Sequence, residues 1–315
     1  MKIVCCGDAH VTKDRPVNRT DNYWETVKRK LIFIAETAKE AGAHVVVLPG
    51  DLTDTPALSY EEFAELWLLF KTYYKDLKIV TVRGQHDLRY RRPINTALEA
   101  LSTTMASGND DFILLEQETA WTPYGYKDIV FQGSNYGQSI PAPVKGKFNI
   151  LVIHRMIIEE KLWSAQEEYE ASNIFLRQNN FDLIVSGDNH QGFIAVAGGT
   201  HNVLVNCGAM MRSKIDQVNH KPFIVLFDTD TKLYEQIFIP IESPETVFKM
   251  KKVSEQKERD ENLEAFVTGL SQQKDMGLLF EDNLQTYAEE NAIDQDIMEE
   301  IYESFGTERG TRNGN

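Results

Sequence analysis

The stretch His44-Val45-Val46-Val47-Leu48-Pro49-Gly50-Asp51 joins a short apolar run to a glycine and a carboxylate. A run this short, apolar at every position and rich in β-branched residues, reads as a strand buried on both faces. Similar endings recur along the chain. Lys2–Cys6 leads into Gly7-Asp8-Ala9-His10, and Leu77–Val82 into Gly84-Gln85-His86-Asp87. Phe148–Ile153 leads into His154, and Phe181–Val185 into Gly187-Asp188-Asn189-His190. Helical patterns lie between them. Trp24, Val27, Leu31, Ile34 and Ala38 recur at helical spacing, and Ser59 with Glu62 forms a capping box ahead of Phe63, Leu66, Phe70 and Tyr73. A further helix is expected over 164–179. Alternating strands and helices imply an α/β fold with a largely parallel sheet, whose ligand sites lie beyond the carboxyl ends of the strands. Five strand ends then deliver Asp, His and Gln side chains to one edge.

Composition bounds the rest. The 315 residues are 42% hydrophobic and 26% charged, as expected of a globular protein able to bury a core. No apolar run approaches the ~18 residues of a membrane span, and Ile3–Cys6 is too short for the core of a secretory signal. Cys5, Cys6 and Cys207 make no disulfide framework and fit a reducing cytoplasm. Net charge is −15, of which −10 falls in residues 241–315. That excludes a generic basic coat for nucleic acid but leaves room for a phosphate site whose cations are metals. Residues 121–147 and 193–240, rich in aromatic and β-branched residues, are expected to add antiparallel strands in a second sheet. From about 241 the chain becomes acidic and helical in pattern, with stripes at Leu263, Phe266, Val267 and Leu270 and at Ile297, Ile301, Tyr302 and Phe305. The expected division is a catalytic domain over 1–240 and an acidic helical appendage over 241–315.

Asp8, His10, Asp51, Gln85, His86, Asp87, His154, Asp188 and His190 appear in order, each just past an apolar strand. Carboxylates, imidazoles and an amide oxygen without a thiolate suit Mn²⁺, Fe²⁺, Mg²⁺ or Zn²⁺ and exclude an iron–sulfur site. Six or seven such groups exceed the needs of one ion. Two ions ~3.5–4 Å apart, sharing a carboxylate, can hold a hydroxide and clamp a phosphoryl group for in-line displacement.

The order Gly-Asp-Ala-His, Gly-Asp-Leu-Thr-Asp, Gly-Gln-His-Asp, Ile-His and Gly-Asp-Asn-His resembles the calcineurin-like metallophosphoesterases. Within them it is most similar to the nuclease subunit of the bacterial SbcCD repair complex and its phage relatives. The resemblance covers residues 1–240 and implies a two-sheet αββα sandwich around a dinuclear, usually manganese, centre, with Mg²⁺ as the alternative. It implies that Asp8, His10 and His190 hold one ion, that Gln85, His154 and Asp188 hold the other, and that Asp51 bridges them. His86 is then the catalytic histidine, with Asp54 or Asp87 orienting it. Two departures stand out: the family usually has Asn where this chain has Gln85, and His where it has Asp188. Three carboxylates against two divalent ions leave a formal charge of +1 rather than +2, so the site is expected to favour Mn²⁺ or Mg²⁺ over Zn²⁺. The resemblance also implies DNA as substrate, a coiled-coil ATPase like SbcC as partner of the C-terminal segment, and a homodimer.

Arg83, Arg89, Arg91 and Arg92, with Tyr90 among them, flank His86. They read either as phosphate-backbone contacts with Tyr90 stacking on a base, or as a solvated turn before Pro93. Arg15 and Arg19 could act similarly. Arg212, His44, His201 and His220 read as structural. Three functions remain open on the sequence: a DNA phosphodiesterase, another phosphoesterase of the same superfamily, and a non-catalytic scaffold with a degenerate site.

Overall fold

The computed structural model describes residues 1–106, 111–117, 119–159, 170–197 and 201–255, with 259, 288 and 293 beyond them. The chain divides into a compact unit Met1–Val253 and a second unit Ser254–Asn315. The helical stripes expected from Leu263 to Phe305 lie outside the described residues. The first unit extends past the change of composition near 241, because Val247, Phe248 and Val253 pack with Ile215 and Val218.

In chain order the elements are β1 (Lys2–Cys5), α1 (Tyr23–Glu40), β2 (Val45–Leu48), α2 (Tyr60–Tyr73), β3 (Lys78–Thr81), α3 (Ala97–Met105), β4 (Phe112–Leu114), β5 (Ile129–Ser134) and β6 (Phe148–His154). They continue with β7 (Ile157–Ile158), β8 (Glu170–Ala171), α4 (Ser172–Asn179), β9 (Leu183–Gly187), β10 (Phe193–Val196), β11 (Val203–Asn206), β12 (Phe223–Asp228), β13 (Tyr234–Phe238) and α5 (Pro244–Val247). α1 starts where the Asn22 side chain accepts the Glu25 N–H, and its stripe Trp24, Val27, Leu31, Ile34 and Ala38 is buried. The capping box of α2 is present, Ser59 and Glu62 each receiving the other's backbone N–H. The helix expected over 164–179 begins only at Ser172. Glu170–Ala171 is a strand paired with β7, and 160–169 lie outside the described residues.

The strands form two main sheets, as expected. The first has the order β13-β12-β1-β2-β3-β4 and the second β10-β11-β9-β6-β5. β1 to β4 run parallel, as do β5, β6, β9 and β11. The antiparallel second sheet expected from 121–147 and 193–240 is corrected accordingly. β5 enters the second sheet in parallel, and β12 and β13 complete the first, β12 antiparallel to β1.

Period-two alternation builds the layers. Val4, Val46, Leu48 and Ile79 face the helices α1, α2 and α3. Ile3, Val45, Val47 and Val80 face the second sheet, meeting Phe131, Ile150, Val152, Val185 and Val205. On the far side Leu151, Ile153 and Ile184 pack under Phe175 and Leu176 of α4. The result is the αββα sandwich. Fully burying one such aliphatic side chain is worth about 1.5–3 kcal/mol, and the layer between the sheets fixes how their carboxyl ends face each other. No helix among the described residues is long and apolar enough to cross a membrane.

Candidate metal centre

β1, β2 and β3 of one sheet and β6 and β9 of the other end at the same rim. Backbone bonds clip their following loops together. The Asp8 N–H donates to Gly208 O (3.0 Å), Met210 N–H to Asp8 O (2.8 Å), Ala209 N–H to His190 O (3.1 Å) and His10 N–H to Asp51 O (2.9 Å). Buried Lys30 holds the 208–210 loop from behind through its Nζ bond to Met210 O (2.7 Å). His10, Asp51 and Asp188 have φ of 44°, 45° and 81°, a left-handed conformation that non-glycine residues adopt at a cost of order 1–3 kcal/mol and that clusters at functional sites. Gly84 is needed for close approach: a Cβ there would press on Asp51 Oδ1 and stand 2.5 Å from the Asp51 nitrogen. Gly187 is equally confined, its Cβ position lying 2.6 Å from Pro49 O and 2.7 Å from His154 Nδ1.

The side chains converge in two overlapping groups. Asp8, His10 and His190 offer ligand atoms within 4.8 Å of one another, and so do His10, Asp51 and His86. His10 Nε2 lies 3.1 Å from His190 Nε2, and His190 Nε2 lies 3.6 Å from Asp8 Oδ2. Donor atoms ~2.1 Å from one ion and at right angles to it stand about 3 Å apart, so the first spacing fits a shared cation. Asp51 Oδ2 is 3.3 Å from His154 Nε2 and 3.8 Å from His10 Nε2, which places this carboxylate between the groups. His154 donates its Nδ1–H to Pro49 O (2.7 Å), leaving Nε2 aimed at the site. Metal-binding imidazoles are commonly oriented in this way by a carbonyl on the opposite nitrogen. Asp8 Oδ1, Asp51 Oδ2, Gln85 Oε1 and His154 Nε2 are all buried without a hydrogen-bond partner among the described residues. Buried polar atoms are rarely left so. The donor set therefore fits divalent metal.

Residues 1–192 match the calcineurin-like phosphoesterase family. The chain belongs to that family. As a calcineurin-like phosphoesterase it is a hydrolase of phosphate esters with a metal-binding centre. In structure it is similar to an archaeal phosphodiesterase at 13% identity and a TM-score of 0.41, covering 76% of this chain and 99% of that one. It is also similar to a 5′-nucleotidase precursor from Thermus thermophilus at 10% identity and a TM-score of 0.43, covering 87% of this chain and 60% of that one. A comparison with curated protein sequences gives no match.

The remaining residues singled out in this phosphoesterase sequence fall into place around the cluster. His86 sits half-buried at its edge, 4.8 Å from His10 between ring centroids, and its Nδ1 is 2.6 Å from the backbone carbonyl of Asp54. Asp54 thus orients His86 through its main chain, while its carboxylate lies 3.3 Å from His10 Nδ1. Asp87 does not orient His86. Its carboxylate is fully buried, accepting from Thr53 N–H (3.1 Å), Thr53 Oγ1 (3.2 Å) and Gly84 N–H (3.0 Å), and it ties the second and third strand-end loops together. Gln85 and Asp188, the two departures from the family pattern, touch: Gln85 Nε2 donates to Asp188 Oδ1 at 3.0 Å. Arg83 is no phosphate ligand, being buried and held by Glu99 and in bidentate fashion by Glu116. Arg19 is likewise buried, bonded to Asp21 and to Arg212 O. Arg212 binds the carbonyls of Val218 and Glu242, His220 that of Ala209, and exposed Arg15 that of Thr20. His44 meets the Tyr126 hydroxyl, and His201 is exposed.

Electrostatics make metal uptake a proton exchange. Burial, with Asp51 adding to it, pushes the Asp8 carboxyl from its ordinary 3.8 to about 7. Burial also works against charge on His154, but the contact with Asp51 outweighs it and lifts the imidazole to about 10. Without metal, folded Asp8 keeps a proton that the unfolded chain releases near pH 4. This group's contribution to stability therefore falls as pH rises from about 4 to about 7. An ion must displace those protons. Mn²⁺ affinity, measured by isothermal titration, is expected to rise steadily from pH 5.5 to pH 8, with protons released on binding. A flat profile would show that Asp8 and His154 do not lose protons on binding.

Proposed function

We propose that the protein is a divalent-metal-dependent phosphodiesterase that cleaves DNA in repair or recombination, in the cytoplasm, with a coiled-coil ATPase resembling SbcC as partner and a second copy of itself in a dimer. The observation that carries the substrate is the turn beside His86. Arg89 and Arg92 exchange backbone hydrogen bonds of 3.0 and 2.9 Å, with Tyr90 and Arg91 at φ of 51° and 59° between them. Asn-Gly would make this tight turn without strain; here it projects an aromatic ring and a cation. All four side chains are exposed, and among the described residues no carboxylate pairs with Arg89, Arg91 or Arg92. On a chain of net charge −15, three uncompensated cations next to the candidate catalytic histidine fit a phosphate backbone.

In this reading Asp8, His10 and His190 hold one ion, Gln85, His154 and Asp188 the other, and Asp51 lies between, with manganese as the preferred metal. Bound divalent ions supply Lewis-acid polarisation of the phosphoryl group and a nucleophile acidified toward neutral pH. The protein's own part is to hold these ligands in fixed places and to present His86 to the leaving oxygen as general acid. The acidic segment 241–315 is the proposed docking element for the ATPase, its charge suiting a protein surface better than DNA.

The test is hydrolysis of duplex DNA, single-stranded DNA and a phosphomonoester side by side with Mn²⁺. Cleavage of DNA, weakened when Arg89, Arg91 and Arg92 are replaced together by Ala, is the expected result. Efficient cleavage of the monoester with DNA untouched, with and without the ATPase, would replace the nuclease reading by a phosphatase.

A further inference from the structure

A cavity of about 400 Å³ opens between the turn Ser134–Gln138 and the end of β6, with His154 and Asp188 in its wall. The volume lies within the ~300–1,000 Å³ range of small-molecule sites. Tyr136 stands at its rim 40% exposed, its ring edge-on to His154 with centroids 6.3 Å apart. Met156, also 40% exposed, lines the cavity too. An open π-face and a thioether thus sit directly beside the candidate metal residues.

The platform is rigidly mounted. Tyr136 N–H donates to Arg83 O (2.9 Å), and Arg83 N–H donates to Asn135 Oδ1 (2.6 Å). Arg83 itself is locked by Glu99 and Glu116 and lies in the same loop as Gln85 and His86. Within the turn, Asn135 Nδ2 donates to Gln138 Oε1 (2.9 Å), and Ser134 Oγ to Gln138 O (3.3 Å). These polar groups are engaged in holding the turn, so the cavity is faced by Tyr136 and Met156 together with Asp188 and with Arg155, itself paired with Glu170. An exposed aromatic ring such as that of Tyr136 binds a base by its face and tolerates any base. A cavity of this size takes one nucleoside, not a paired helix, so a base entering it from a duplex must leave its stack.

Resting on the phosphodiesterase reading, we propose that this cleft holds a single unpaired nucleobase of the substrate beside the cleaved phosphate, stacked on Tyr136 without selection among bases.

The experiment compares Mn²⁺-supported hydrolysis of thymidine 5′-(4-nitrophenyl phosphate), which carries a base, with that of methyl 4-nitrophenyl phosphate, which does not. Wild type, Tyr136→Ala and Tyr136→Phe are assayed as full chains. Tyr136→Ala is expected to raise KM for the nucleoside ester about tenfold, the scale of one base-on-aromatic stack. Its kcat should be little changed and its methyl ester kinetics unaltered, with Tyr136→Phe restoring the low KM. Saturation-transfer NMR with thymidine 5′-monophosphate reads the same contact without turnover, and the base signal should vanish in Tyr136→Ala. An equal loss on both esters, or an unchanged KM and NMR signal, overturns the proposal. If wild type cleaves neither ester, the phosphodiesterase reading fails by itself, and the NMR signal alone decides the cleft.

Discussion

Asp51→Asn is expected to remove metal-induced stabilisation altogether and to lower phosphodiester hydrolysis by about three orders of magnitude. The substitution keeps the shape of the side chain and removes only its charge. Asp51 Oδ1 accepts the His86 N–H at 2.8 Å, a role an amide oxygen can fill. Oδ2 has no hydrogen-bond partner among the described residues and faces His154 and His10, which come from different sheets. Burial disfavours charge on Asp51, but the two imidazoles hold its carboxyl below the ordinary range, so it is an anion in the folded protein. Its Oδ2 lies 3.8 Å from His10 Nε2 and 3.3 Å from His154 Nε2. Losing it forfeits several kcal/mol of charge stabilisation, and 1.36 kcal/mol is a factor of ten in rate. Thermal melts with and without Mn²⁺ check the binding half: a saturating ligand at about 100 times its Kd adds about 2.7 kcal/mol. A variant that still melts higher with Mn²⁺ and keeps its activity would remove Asp51 from the centre of the site.

The convergence of these Asp, His and Gln side chains was legible in the sequence because each lies at or just past the end of a buried strand, and strand ends in parallel sheets share an edge. Val45–Leu48 and Gly50-Asp51 show this most plainly, since a run so short and rich in β-branched residues favours a strand over a helix. What the pattern could not show is that β1, β2 and β3 lie in one sheet and β6 and β9 in another. Both arrangements bury the same residues on both faces. The helix α3 was hidden because its nine residues contain a run of Ser102, Thr103 and Thr104. Its stability comes from Leu98, Leu101 and Met105 packing in the helix-side core rather than from propensity. Roles within the Gly84–Asp87 cluster were equally invisible. Spacing places Asp87 next to His86, but the chain turns its carboxylate back to bind Thr53 and Gly84. Tyr136 was hidden for a related reason: β5 ends in Gly133-Ser134 and runs into Asn135-Tyr136, with no carboxylate or imidazole to mark a strand end at the rim.

His86→Ala is expected to leave metal binding intact and to cut DNA cleavage by about 100- to 10,000-fold, the range for loss of a general acid or base. The geometry separates this outcome from loss of a ligand. Asp54 O accepts from His86 Nδ1 at 2.6 Å, which fixes the ring and leaves Nε2 free to carry the transferred proton. The imidazole is half-buried at the edge of the cluster, whereas His154 is enclosed. His86 also lies within ligand distance of His10 and Asp51, so the variant must be tested both ways. Leaving-group chemistry supplies the second way. A DNA alkoxide leaves poorly without a proton, whereas a 4-nitrophenolate leaves as a stable anion. A general acid therefore matters for the first and little for the second. His86→Ala should then retain much of the wild-type rate on 4-nitrophenyl esters while losing DNA cleavage. A metal ligand, by contrast, would fail on both substrates and bind Mn²⁺ weakly. Equal losses on the two substrates, together with reduced Mn²⁺ uptake, would move His86 from acid to ligand.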